Sequence, residues 1–192
     1  AAQRRREAER AGRGPFGPQV YAGYRGLARL PWYEQTPEGR LRCVAEDLPA
    51  AIDLHAHLGM ALLLAPDLDL LARSQRVRHL LDCDGYDPPL PFDLDVYANG
   101  NFTPEELRAL RWGVLAQLTT GSARAATQTV PNLLAEMDDC RVERASILPI
   151  RFGLPFGDQL EEKWFQAVQR AGAAGRLWVG ASVHPRDSAC LK

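Results

Sequence analysis

The chain has 192 residues, 46% hydrophobic and 24% charged, with a formal net charge of −1. That length supports a substantial buried core, and that composition excludes a disordered chain. The charge balance favours neither nucleic acid nor membrane as a partner, and Pro66, Asp67 and Asp69 break the 62–71 run well short of the roughly 18 apolar residues of a membrane span.

Residues 1–14 carry five arginines against Glu7 and Glu9. A basic arm for nucleic acid or membrane is one reading; a frayed, solvated terminus is the favoured one, because nothing there has an apolar period. No apolar stretch follows the arginines, so a secretion signal is not supported. Residues 1–40 together are rich in Gly, Pro and Arg. They read as an extension, partly disordered, with at most short helix. The domain proper is expected over 41–192, with an inserted helical and loop segment at about 60–128.

A short strand over 41–46 leads into Ala51-Ile52-Asp53-Leu54-His55-Ala56-His57-Leu58-Gly59. Side chains alternate along a strand, so His55 and His57 share a face with Asp53 behind them, and Ile52, Leu54 and Ala56 take the other. Two imidazoles at that spacing can grip one metal ion. The bland reading is a strand end that carries two polar residues.

Over 66–81 the apolar positions Leu68, Leu71, Val77, Leu80 and Leu81 predict an imperfect amphipathic helix, with His79 on its surface. The stretch 82–102, rich in proline, glycine and aspartate, reads as a long loop in which Cys83 and Asp84 are an ordinary thiol and carboxylate. Thr103-Pro104-Glu105-Glu106 is a sharp helix start with capping-box spacing and proline at the first helical position. That helix continues through Leu107, Leu110, Val114 and Leu118. A second helix is predicted over 131–139, then a strand over 144–150. Asp158 opens a third helix with Leu160, Trp164, Val168 and Ala171 on one face, and 177–184 is a third strand. Trp164 and Trp178 read as packing.

Apolar strands alternating with amphipathic helices predict an α/β fold with a parallel sheet. Each strand is followed by polar residues at its C-terminal end: His55 and His57, then Arg151, then His184, Arg186 and Asp187. In parallel α/β folds that edge is where chemistry sits. Arg151 and Arg186 suit a carboxylate or phosphate on a substrate, against the bland reading of solvated loop residues. Cys43, Cys83, Cys140 and Cys190 form no CxxC pair and read as free thiols of a reducing cytoplasm.

Three stretches resemble the amidohydrolase superfamily, in particular its amidohydrolase-related branch of aminocarboxymuconate-semialdehyde decarboxylase-like enzymes. Asp53-Leu54-His55-Ala56-His57-Leu58-Gly59 resembles the first-strand metal motif. Residues 134–145 are similar to the helix-into-second-strand signature, with Cys140-Arg141 departing from the usual small residue and glycine. Residues 177–187 resemble the third strand with its Pro-Arg-Asp turn.

The resemblance implies a (β/α)8 TIM barrel, of which about the first three strand–helix units are present. Read this way, the chain is the N-terminal part of a longer protein. It also implies a divalent metal ion, zinc above all, held by His55 and His57. Asp53, Arg151, His184 and Arg186 would stand near the metal or the substrate. The implied reaction is metal-dependent hydrolysis or non-oxidative decarboxylation of a small molecule, with homo-oligomer assembly left open. No residue is assigned as a catalytic acid or base, and the family's later ligands are not among these strands. Val183-His184-Pro185 is also similar to a turn of TatD-like metal nucleases, which gives a second reading. A third is a non-catalytic scaffold built on the opening of a barrel.

Overall fold

The computed structural model describes residues 20–61, 67–79, 83–94, 100, 102–151 and 160–184. The basic segment 1–14, the helix start at Asp158, and Arg186, Asp187 and Cys190 lie outside the described residues. In chain order the strands are β1 (Val20–Ala22), β2 (Tyr33–Gln35), β3 (Leu41–Cys43), β4 (Ala51–Ala56), β5 (Pro91–Asp93), β6 (Val142–Ile147) and β7 (Leu177–Val179). The α-helices are α1 (Pro104–Thr120), α2 (Val130–Asp139) and α3 (Leu160–Arg170). The chain divides into two units, Ala1–Ala45 with His79–Val114, and Glu46–Arg78 with Leu115–Lys192.

The second unit is built on a parallel sheet in the order β4-β6-β7. The structure is therefore mixed α/β with the expected strand direction, and the C-terminal ends of all three strands share one edge. Ala145 and Ile147 of β6 and Leu177 of β7 point into a core closed by α2 and α3. From α3 come Leu160, Trp164, Ala167 and Val168, the i, i+4, i+7, i+8 stripe of a helix with one buried face. Val130 and Met137 come from α2. Glu161 and Glu162 in the first turn of α3 and Arg170 in its last turn complement the helix dipole.

The helix start at Thr103 forms as its residues predict. Thr103 N–H donates to Glu106 Oε2 at 2.6 Å and Glu106 N–H donates to Thr103 Oγ1 at 3.2 Å, the reciprocal pair of a capping box. After α2 the chain turns through Arg141 at φ 59°. That is the left-handed conformation usual just past a helix end, where glycine is the favoured residue. The departure noted at this position therefore costs backbone strain. Arg141 repays part of it by donating from its guanidinium to Glu46 O at 3.2 Å, and its own carbonyl accepts from Ala51 N–H at 3.0 Å.

Several expectations are corrected. Residues 67–79 are not helical. Their backbone is engaged elsewhere: Asp69 Oδ1 accepts from Leu71 N–H, Val130 N–H donates to Leu70 O, Thr129 Oγ1 donates to Ala72 O, and Asn132 bonds both the N–H and the hydroxyl of Ser74. Polar side chains outcompete the helix ladder here. His79 is half-buried, with its ring 5.1 Å from that of Tyr24.

Residues 20–40 are not an extension, 41–43 form the expected short strand, and 83–94 are not plain loop. β1 pairs antiparallel with β5 and β2 with β3, around a core of Tyr21, Leu27, Leu30, Leu41, Cys83 and Phe92. In that first unit the Asp84 carboxylate is fully buried against Arg25, whose Nε lies 3.4 Å and whose backbone N–H lies 3.2 Å from Oδ2. The two tryptophans divide: Trp164 is fully buried, whereas Trp178 is 44% exposed and stacks under the Arg144 guanidinium, 5.4 Å from its centroid.

Candidate metal site

β4 does not alternate cleanly. Asp53 registers with Ala145 and Ala56 with Ile147, so three residue steps of β4 span two of β6. This bulge places the extra residue at Leu54–His55, so the first histidine is part of it. Ala56 thus joins the helix-covered face, as does Leu58 beyond it, while Ile52, opposite Arg144, stays 52% exposed and Leu54 72% exposed. The expected grouping of Ile52, Leu54 and Ala56 on one face does not hold. Asp53 does not stand behind the imidazoles as a side-chain partner; its Oδ1 accepts the backbone N–H of His55 at 2.8 Å. The carboxylate fixes the bulge.

His55 and His57 meet. Their Nε2 atoms are 2.9 Å apart, with ring centroids 4.8 Å apart and planes at 77°. His55 is exposed and His57 half-buried, edge-on to the Trp164 ring at 6.3 Å. His57 Nδ1 lies 2.7 Å from Leu148 O, at the tip of β6. A carbonyl only accepts, so Nδ1 carries the proton and the neutral ring keeps its lone pair on Nε2. His55 Nε2–H donates to that lone pair. A proton shift to Nδ1 of His55 would leave two lone pairs aimed at one point.

Two imidazole nitrogens on one tetrahedral zinc, each about 2.0–2.1 Å from it, stand roughly 3.4 Å apart. The 2.9 Å separation needs to open by only about half an ångström to reach that spacing. The donor type, the convergence and the carbonyl that fixes the tautomer of His57 all fit one edge of a divalent metal site. A catalytic zinc takes three protein ligands as a rule. Among the described residues no group of three or more His, Cys, Asp or Glu is gathered at one point.

Burial holds the His57 imidazolium below its ordinary pKa of 6.5, and a charged His55 works in the same direction; the Leu148 carbonyl and the Asp53 carboxylate oppose them. Protonation of His57 is therefore easier in the unfolded chain. Below pH 6.5 the unfolded chain takes up this proton first, so the His57 contribution to stability is complete above 6.5 and declines as pH falls through that value. We expect the His57 imidazole to titrate below 6.5 by NMR. A His57 midpoint at or above 6.5 would contradict the buried, carbonyl-held ring.

Arg151 and His184 follow the C-terminal ends of β6 and β7, on the same edge as the imidazole pair. Glu161, which the sequence reading passed over, ties that edge together. Its Oε1 faces Arg151 Nη1 at 3.4 Å, and its Oε2 accepts Ser182 N–H at 3.3 Å. Ser182 Oγ in turn accepts Arg151 N–H at 3.0 Å. The signal for Glu161 was present: an acidic first turn on the helix that follows the arginine loop. Arg186 lies outside the described residues. No family model, no curated protein and no solved structure matches the chain.

Proposed function

We propose that this chain carries the opening strands of a (β/α)8 barrel of the amidohydrolase-related type, and serves metal-dependent hydrolysis or non-oxidative decarboxylation of a small molecule. The observation that carries this reading is the convergence of His55 and His57 Nε2 beside a carbonyl that fixes one tautomer. Zinc, the ion best suited to this donor pair, would supply Lewis acidity toward a substrate oxygen or a bound water. The chain's own residues do the rest. His57 is held by Leu148 O and packed by Trp164, so its lone pair is aimed before any ion arrives. His55 is exposed and adjusts to it.

Arg151, clamped by Glu161 and Ser182, presents positive charge on the same edge, suited to a carboxylate on the substrate. His184 would extend that wall. The compartment we infer is the cytoplasm, from cysteines without a CxxC pair, of which Cys43, Cys83 and Cys140 form no disulfide among the described residues. Among the described residues no helix is long and apolar enough to cross a membrane.

The test is calorimetric titration of the chain with Zn²⁺ beside a His55→Ala/His57→Ala double variant. We expect weak binding that strengthens from pH 6 to 8, because both imidazoles must be neutral, and loss of binding in the variant. Equal binding by the two proteins would remove the metal role and the function with it.

A further inference from the structure

The second unit has a cleft that the histidine edge does not use. It measures 580 Å³ and lies between α2, the turn after α3 and residues 71–73. Asp138 closes α2 just before β6, and Arg176 stands just before β7. The cleft is thus at the N-terminal edge of the parallel sheet, opposite the imidazole pair.

Its floor is apolar, with Leu134 and Ala135 from α2 and Ala173 after α3. Its walls carry Arg73, Arg170 and Arg176 against a single carboxylate, Asp138. Asp138 is already engaged: Arg176 Nη1 donates to its Oδ1 at 2.6 Å. The same guanidinium also holds Glu143 O at 3.1 Å and Val142 O at 3.0 Å, so Arg176 is part of the wall that starts β6. Among the described residues, Arg170 Nη2 donates to the neutral Gln166 Oε1 at 3.2 Å. Two guanidinium groups therefore stand over an apolar floor with no carboxylate of the described lining left to neutralise them.

We propose that this cleft is a binding site for an amphiphilic anion, a carboxylate or phosphate head on a short apolar body. Guanidinium pairs take such heads through charge-assisted, often bidentate, hydrogen bonds. The volume falls within the roughly 300–1,000 Å³ of small-molecule sites. A neighbouring 390 Å³ cleft shares Leu71 and Arg170 but is lined by Asp67 and Asp69. There Asp67 is already paired with Lys163 at 2.8 Å and Asp69 adds a further carboxylate, so the Arg73 end, over the Leu134 and Ala135 floor, is the more positive place for the head.

The test is calorimetry on the full chain with octyl phosphate and octanoate, which differ in head, and with inorganic phosphate and octanol, which lack tail or head. We expect at least one amphiphilic anion to bind about tenfold or more tighter than either control, and binding to weaken with added NaCl. An Arg73→Gln/Arg170→Gln double variant should lose about tenfold in affinity. Both side chains belong to exposed residues, so the variant should stay folded, losing only the small helix-dipole contribution of Arg170, and its Zn²⁺ titration should match the parent's. Octanol binding as tightly as octyl phosphate, unchanged binding by the variant, or no binding by either anion would each overturn the proposal.

Discussion

Replacing Trp164 with alanine is expected to destabilise the chain by about 3–5 kcal/mol, the largest effect of any single truncation in the second unit. Trp164 is the largest fully buried side chain. It sits at the centre of the α3 stripe, among side chains that interdigitate at crystal-like density, so its removal leaves a cavity the surroundings cannot fill. Its Nε1–H also donates to Gly59 O at 3.3 Å, in a buried position. Trp164→Phe separates the two roles: it keeps most of the packing and strands that carbonyl, at about 1–3 kcal/mol. Urea unfolding of the parent and both variants measures this. A Trp164→Ala cost below about 1 kcal/mol would mean that the α3–sheet core does not unfold as a cooperative unit. The alanine variant should also let the His57 pKa rise toward 6.5, because Trp164 is one of the groups that bury that ring.

Gly59→Ala is expected to cost about 1–3 kcal/mol by overpacking. A Cβ at Gly59 would overlap the Ala125 carbonyl oxygen and come within 2.9 Å of Leu68 Cδ1. The backbone has no easy retreat, because Gly59 N–H donates to Gln128 O at 2.6 Å while Gly59 O receives the Trp164 indole. Gly113→Ala is the matching control. It lies within α1 with nothing inside 4 Å of the new methyl, so it should stabilise by about 0.5–1 kcal/mol through helix propensity. Opposite signs for the two substitutions, read as denaturant midpoints, confirm the packing at Gly59. Equal small effects would refute it.

What the sequence made legible was chemistry written over short distances. The Thr103 capping box, the stripe of α3, the α2 helix and three apolar strands with one direction all follow from neighbours within a few turns or residues. The HxH pair was legible for the same reason. The bulge was not, since an extra residue in β4 is defined only by what β6 places opposite, and it moved Asp53 and Ala56 from their expected faces. The 67–79 helix failed because its backbone is claimed by Thr129, Val130 and Asn132, more than 50 residues away. β1 and β5 are three residues each, too short to show a period, and their pairing bridges a long stretch of chain. Glu161 was hidden in another way: an acidic residue in a first helical turn already has a sufficient explanation in the helix dipole.

The bond from His57 Nδ1 to Leu148 O has a second life. Leu148 N–H donates to Ala56 O at 2.9 Å, so the tips of β4 and β6 are fastened by one rung of backbone and one of side chain, through the N–H and the C=O of one residue. Whatever draws on the His57 Nε2 lone pair makes its Nδ1–H more acidic and tightens the side-chain rung; a proton arriving at Nε2 does so too, but brings a charge into a half-buried place. In the metal role proposed for it, His57 would thus join ligand occupancy to sheet integrity, while its fastening of the two strands stands without any ligand. Under that proposal, no substitution at this position could tune grip without also tuning how firmly two strands stay zipped.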